Sequence, residues 1–73
     1  MSTIVSDTAE VMTSVDLFRP GIIGTDRAKR AEVERAVAAA YVWGRQDGGE
    51  SARDSGYSYA FATVYALADY VTD

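Results

Sequence analysis

The sequence contains neither cysteine nor histidine among its 73 residues. Without cysteine, the chain cannot form the disulfides or thiolate zinc sites that stabilise many small domains. Without histidine, it lacks the commonest general base and the commonest side-chain metal ligand. These absences exclude Ser-His and Cys-His nucleophile arrangements. We therefore expect a protein that is not an enzyme and that has no catalytic residues, no metal site and no cofactor.

Long apolar runs are also lacking. The longest covers residues 36–43, whereas a membrane-spanning helix needs about 20 apolar residues. The start of the chain has no basic patch followed by an apolar stretch, so we expect no secretion signal, no membrane partner and a cytoplasmic location. The formal charge of −4 repels a phosphate backbone, and we expect no nucleic-acid partner.

Charge is distributed unevenly along the chain. Residues 1–18 carry −3, residues 19–45 carry +3, and residues 46–73 carry −4. A basic middle segment between acidic ends suits head-to-tail or antiparallel contacts between copies of the chain.

The strongest periodic pattern predicts a helix over about 26–47. At the helical angle of 100° per residue, the apolar side chains and one glycine fall on a single face. Thr25 or Asp26 can cap the helix start, and Gly48-Gly49 ends it. The residues of the face are Val33, Ala36, Val37, Ala40, Tyr41, Trp43 and Gly44.

A second helical pattern covers about 57–71, where Tyr57, Phe61 and Val64 begin a stripe at spacings of four and three. Ser51 or Ser55 can cap this helix, and Gly56 makes its start uncertain. The helix is apolar nearly all round, which is typical of a helix shared between subunits when the chain is this short.

Residues 1–18 fit two patterns. Val11, Thr13, Val15 and Leu17 alternate as in a strand, while a helical face also fits the spacing. We favour a short helix that Asp7 can cap, with a loose or partly disordered start. The segment Arg19-Pro20-Gly21 predicts a turn, in which Gly21 accepts a positive φ.

These patterns predict an all-α protein. Its core is an antiparallel helical hairpin, 26–47 and 57–71, in a domain spanning 21–73, preceded by an N-terminal segment at 1–20. Two such helices bury too little apolar surface to be stable alone. We therefore expect a homo-oligomer that uses the second helix.

The start of the long helix is a candidate contact site for an anion or an acidic partner. Helix N-termini attract anions, and cations are unfavourable there unless something negative lies nearby. The alternative is that the cations are solvated or paired within the chain. We group the three cations of the first turn with Arg45 at the other end of the helix. The predicted contact residues are Thr25, Arg27, Lys29, Arg30 and Arg45.

The aromatic side chains of the second half predict a self-association surface. Base stacking would need a basic groove, and this half is the most acidic part of the chain. Tyrosines at helical spacing more often lie at a subunit contact. The predicted residues are Trp43, Tyr57, Phe61, Tyr65 and Tyr70.

The acidic residues between the two helical patterns do not predict a metal site. Asp47, Glu50 and Asp54 lack the spacing of a calcium-binding loop and indicate a solvated acidic segment.

Two stretches carry a resemblance: Phe18-Arg19-Pro20-Gly21, and the segment 40–50 followed by Phe61-Ala62. They resemble small orphan proteins of bacteriophages that infect actinobacteria. The resemblance implies a phage product that acts inside a bacterium on a host protein or on a defence signal. We therefore expect a non-enzymatic interaction protein that modulates a host protein. The alternative is an oligomer that sequesters an anionic small molecule such as a nucleotide signal.

Overall fold

The computed structural model describes the backbone of residues 3–72 and the side chains of residues 4–67. Three α-helices make up the fold: α1 (Thr3–Phe18), α2 (Arg27–Asp47) and α3 (Ala52–Thr72). A 3₁₀ turn at Gly49–Ser51 connects α2 to α3. The described residues contain no strand, and the predicted all-α class is confirmed.

Helix α2 has the bounds that its sequence pattern predicts. Asp26 caps the start, because its carboxylate Oδ1 accepts a hydrogen bond of 2.9 Å from the backbone N–H of Lys29. Gly48 lies at the other end, where its N–H donates to the carbonyl of Gly44 over 3.0 Å.

Helix α3 begins at Ala52, five residues before the predicted start, so that boundary was wrong. Gly56 made the predicted start uncertain, and the structure places Gly56 inside the helix, buried against α2. A Cβ atom on the facing Gly44 would lie 2.5 Å from the carbonyl oxygen of Ser55 and 2.7 Å from the Cα of Gly56. The two glycines therefore allow the backbones of α2 and α3 to approach closely.

Residues 3–18 form one continuous helix rather than a strand. The expectation that Asp7 caps this helix was wrong, because Asp7 lies in the second turn with its carboxylate directed at other helices. The predicted turn after α1 is confirmed: Gly21 has a φ of +84°, and the N–H of Ile22 donates to the carbonyl of Arg19 over 3.2 Å.

The core lies where all three helices meet. Its buried side chains come from α1, from the connection between α1 and α2, and from α2 and α3. They are Val11, Met12, Val15, Ile23, Val33, Val37, Tyr41, Ala60 and Val64. Residues from the 1–20 segment thus share a single core with residues from 21–73.

Candidate functional site

A buried carboxylate joins the three helices at one edge of the core. Asp7 of α1 is 7% exposed and accepts a hydrogen bond on Oδ2 from the hydroxyl of Tyr41 in α2. Its other oxygen, Oδ1, accepts a hydrogen bond of 2.9 Å from the hydroxyl of Tyr57 in α3. Each oxygen of Asp7 thus holds a different helix, and we call Asp7, Tyr41 and Tyr57 the carboxylate cluster.

The positions of these side chains follow from helical periodicity. Asp7 lies four and eight residues before Val11 and Val15, so it continues the buried face of α1. Tyr41 occupies the same place on α2, four and eight residues after Val37 and Val33. Its ring meets that of Tyr57 edge to face, with centroids 5.4 Å apart.

Neighbouring charged side chains surround the cluster. The hydroxyl of Tyr57 also lies 3.1 Å from Glu10 Oε2 and accepts from Nη2 of Arg53 over 3.4 Å. The same Nη2 lies 3.8 Å from Asp7 Oδ1. Because a phenol carries one proton, Tyr57 donates to one carboxylate at a time, and the shorter distance favours Asp7.

These contacts stabilise the charged form of Asp7 and the neutral forms of the tyrosines. Hydrogen bonding from Tyr41 holds the pKa of Asp7 below its ordinary value, although burial acts in the opposite direction. Burial, followed by the hydrogen bond to Asp7, raises the pKa of Tyr41. Burial also raises the pKa of Tyr57.

A cavity of about 240 Å³ opens beside the cluster and is lined by Asp7, Tyr41, Arg45 and Arg53. The guanidinium of Arg45 lies 5.8 Å from the ring centroid of Tyr41, and that of Arg53 lies 5.6 Å from that of Tyr57. Each guanidinium thus lies at a cation–π distance from its ring. The cavity therefore presents two cationic walls and one carboxylate.

The predicted anion-contact residues do not form one site. Thr25 and Arg30 line a second cavity of about 410 Å³ between the end of α1 and the start of α2. Arg27 is exposed on the first turn of α2, and Lys29 lies on that turn. Arg45 lies 15 residues after Arg30, about 22 Å away at 1.5 Å per residue.

Carboxylates of the chain already engage the start of α2. Arg30 pairs with Asp16 over 2.8 Å and donates to the carbonyl of Gly24 over 3.0 Å. The hydrogen bond to Asp16 raises the pKa of Arg30. Since Asp26 also occupies the N–H of Lys29, an external anion would compete with two internal carboxylates.

The described members of the predicted self-association group lie in two different environments. Tyr57 and Phe61 are half-buried against the core, whereas Trp43 is 64% exposed and Tyr65 is 41% exposed. The side chain of Tyr70 falls outside the described residues. Among the described members of this group, Trp43 and Tyr65 are therefore the ones that present large exposed surfaces.

Two side chains around the carboxylate cluster, Glu10 and Arg53, were not predicted from the sequence, and Asp7 was predicted as a helix cap. Asp7 lies four residues before Val11 and eight before Val15, on the apolar stripe of α1. This spacing could have predicted that Asp7 is buried. Thr8 is a further buried polar residue. Among the described side chains, its Oγ1 is buried without a hydrogen-bond partner.

Within the described residues, no group of acidic side chains is arranged to hold a metal ion. The described helices also include none with the length and apolar character needed to cross a bilayer. Comparison with protein-family models, with curated proteins and with solved structures gives no match.

Proposed function

We propose that this chain is a small non-enzymatic interaction protein that forms a homo-oligomer and binds a second protein. The observation that carries the proposal is the exposed aromatic surface: Trp43 on α2, with Tyr59 and Tyr65 on α3. Tryptophan and tyrosine dominate the binding energy of protein interfaces. The absence of cysteine and histidine from the sequence supports a non-enzymatic role.

Two of these aromatic side chains lie on the same side of the molecule. The hydroxyl of Tyr59 donates a hydrogen bond of 2.7 Å to Asp47 at the end of α2. Trp43 precedes Asp47 by four residues and therefore shares its helix face. The pair of helices α2 and α3, arranged as a hairpin, thus offers a surface that a second copy would complete.

The second protein in this proposal is a bacterial host protein in the cytosol. The support is the resemblance of residues 18–21, 40–50 and 61–62 to orphan proteins of actinobacterial phages. Self-association through α3 leaves the basic start of α2, with Arg27 exposed there, available for an acidic partner surface.

Native mass spectrometry of the gently purified protein tests self-association. We expect a homo-oligomer that shifts toward monomer when Trp43→Ala or Tyr65→Ala removes an exposed ring. Val5→Ala is the matched control, because Val5 is also largely exposed but lies near the start of α1. A monomer at every concentration would contradict the proposal.

A second candidate function is the binding of an anionic small molecule in the cavity beside the carboxylate cluster. The two guanidinium groups that line this cavity favour it, because arginine pairs well with carboxylate and phosphate. The same spectra distinguish the two functions. Stoichiometric added mass on each chain supports anion binding, and bare subunits support the protein-interaction function.

A further inference from the structure

The cavity beside the carboxylate cluster has walls formed by two arginines. Arg45 reaches it from the last turn of α2, and Arg53 reaches it from the first turn of α3. Tyr41 and Asp7 form the floor, since Tyr41 is fully buried and Asp7 is 7% exposed. Both arginines are exposed, so a molecule that enters the cavity meets their guanidinium groups first.

The two arginines converge because of the way α2 and α3 pack. Each guanidinium lies over a tyrosine one turn away on its own helix, Arg45 over Tyr41 and Arg53 over Tyr57. The two rings meet edge to face. Gly56 leaves room for this arrangement: a Cβ atom there would lie 2.9 Å from Cγ of Arg45 and 2.8 Å from Cε1 of Tyr41. The absence of a side chain at position 56 thus lets the stem of Arg45 pass close to α3.

The lining of the cavity carries a net positive charge. Arg45 and Arg53 contribute two positive charges and Asp7 contributes one negative charge, which leaves one positive charge in excess. Both oxygens of Asp7 accept hydrogen bonds from phenols, and Nη2 of Arg53 stays 3.8 Å away from the carboxylate. Asp7 therefore does not use up the hydrogen-bond donors of Arg53.

Arg53 differs in this respect from Arg30. Arg30 donates to both oxygens of Asp16, over 2.8 and 3.3 Å, and to a backbone carbonyl over 3.0 Å. Among the described residues, the acceptors near Arg53 lie only beside Nη2, with Tyr57 at 3.4 Å and Asp7 at 3.8 Å. Most of the N–H donors of the Arg53 guanidinium therefore remain available to an external acceptor.

The volume of the cavity limits what it can enclose. A cavity of about 150 Å³ holds benzene, and in proportion 240 Å³ holds roughly ten non-hydrogen atoms. Inorganic phosphate and a small carboxylate such as benzoate are within this limit. A mononucleotide exceeds it, and the cavity would enclose only its phosphate group.

We propose that Arg45 and Arg53 hold a small oxyanion, a carboxylate or a phosphate group, between them in this cavity. The inference rests on the second candidate function and specifies the chemistry, size and contacts of the ligand. Guanidinium groups suit these anions because two of their N–H groups can meet two oxygens side by side. One bound anion would balance the excess charge of the lining and connect the end of α2 to the start of α3.

NMR titration of the full chain tests the class of ligand. The probes are inorganic phosphate, benzoate and adenosine monophosphate, each added at a fixed ionic strength set with chloride. We expect saturable shifts of the Nε resonances of Arg45 and Arg53 with phosphate, with benzoate or with both, and the tighter probe identifies the preferred anion. We expect the nucleotide to bind within about tenfold of phosphate, because its nucleoside stays outside the cavity.

The other outcomes separate this inference from the function on which it rests. A nucleotide that binds much more tightly than this range would overturn the size limit and leave anion binding in place. Shifts confined to Arg27 and Arg30 would put the anion at the start of α2 and overturn the cavity as its site. The absence of a saturable shift with any probe would overturn both the inference and the second candidate function.

Neutral variants test the two contacts. We expect Arg45→Gln and Arg53→Gln each to weaken binding of the preferred probe by about tenfold or more, the usual cost of losing a hydrogen bond to a charged group. Arg35→Gln is the matched control, because it removes the same charge from another exposed position on α2. Equal weakening by all three variants would show a general attraction between the chain and anions, and would overturn the proposed contacts.

The carboxylate of Asp7 provides a test with the opposite sign. It is the one negative charge on the lining, so we expect Asp7→Asn to tighten binding of the anion by about tenfold. Glu10→Gln removes a carboxylate beside Tyr57 and should tighten binding by a smaller factor, which preserves the test if Asp7→Asn does not fold. An anion that bound no more tightly to either folded variant would lie away from Asp7, and the inference would be overturned.

Discussion

At the scale of single residues, Asp7 connects the three helices through its hydrogen bonds to Tyr41 and Tyr57. Because these bonds lower its pKa in the folded state, the carboxylate contributes stability above the ordinary aspartate pKa of about 3.9. That contribution is lost as the pH falls through the lowered, folded-state pKa.

The prediction for Asp7 concerns the difference in unfolding free energy between the natural protein and Asp7→Asn. We expect the variant to be less stable at neutral pH, because an amide is a weaker acceptor for the two phenols. The difference should stay constant down to about pH 5 and shrink at lower pH, where the carboxyl becomes protonated in both states. Denaturant unfolding at a series of pH values measures it.

Glu32→Gln is the control for this prediction, since it removes one negative charge from an exposed position on α2. A difference for Asp7→Asn that stayed constant into strong acid would contradict the role given to the carboxylate.

Tyr41 and Tyr57 make stability depend on pH at the alkaline end. Their raised pKa values give stability that is present below about pH 10 and lost as the pH rises further.

At the scale of helices, the contact between α2 and α3 depends on Gly44. In an isolated helix, Gly44→Ala would add about 1 kcal/mol of helix propensity. In the folded chain the new methyl group would meet backbone atoms of Ser55 and Gly56 at less than 3 Å. We therefore expect Gly44→Ala to reduce the free energy of unfolding by about 1–3 kcal/mol, the usual cost of overpacking.

Thermal or denaturant unfolding measures this effect. Gln46→Ala is the matched control, because it raises helix propensity at an exposed position two residues away. That control should be neutral or slightly stabilising. A Gly44→Ala variant as stable as Gln46→Ala would show that the two helices do not need the close approach.

The two glycines also explain which parts of the fold the sequence predicts. The bounds of α2 were predictable because local signals set them, namely the Asp26 cap and the terminal Gly48-Gly49. The start of α3 was not, because Gly56 breaks helices locally and is favourable here only against Gly44. The exposed Trp43 and Tyr65 were predicted as contact residues, whereas the bonds of Asp7 span 34 and 50 residues and no local pattern encodes such pairs.

At the scale of the whole molecule, one small core has to stabilise 73 residues. A chain of this size buries only about 60% of the surface that its unfolded form exposes. The exposed rings of Trp43, Tyr59 and Tyr65 are a part of the surface where further burial is favourable, because an aromatic ring costs far less to desolvate than a charge. Association of two copies would therefore add apolar burial and leave the charged surfaces of α1 and α2 in water.

Coupling of folding to association has a measurable consequence. A dimer that forms only from folded chains is stabilised by mass action, so we expect Tm to rise by a few degrees for about each tenfold increase in protein concentration. Tyr65→Arg should weaken this dependence, since it replaces an exposed ring of the proposed self-association surface with a charge. Ala39→Arg, at an exposed position on α2, should preserve it. If the natural protein had the same Tm at every concentration, the unfolding species would be the monomer, and its single core would be sufficient for the stability observed.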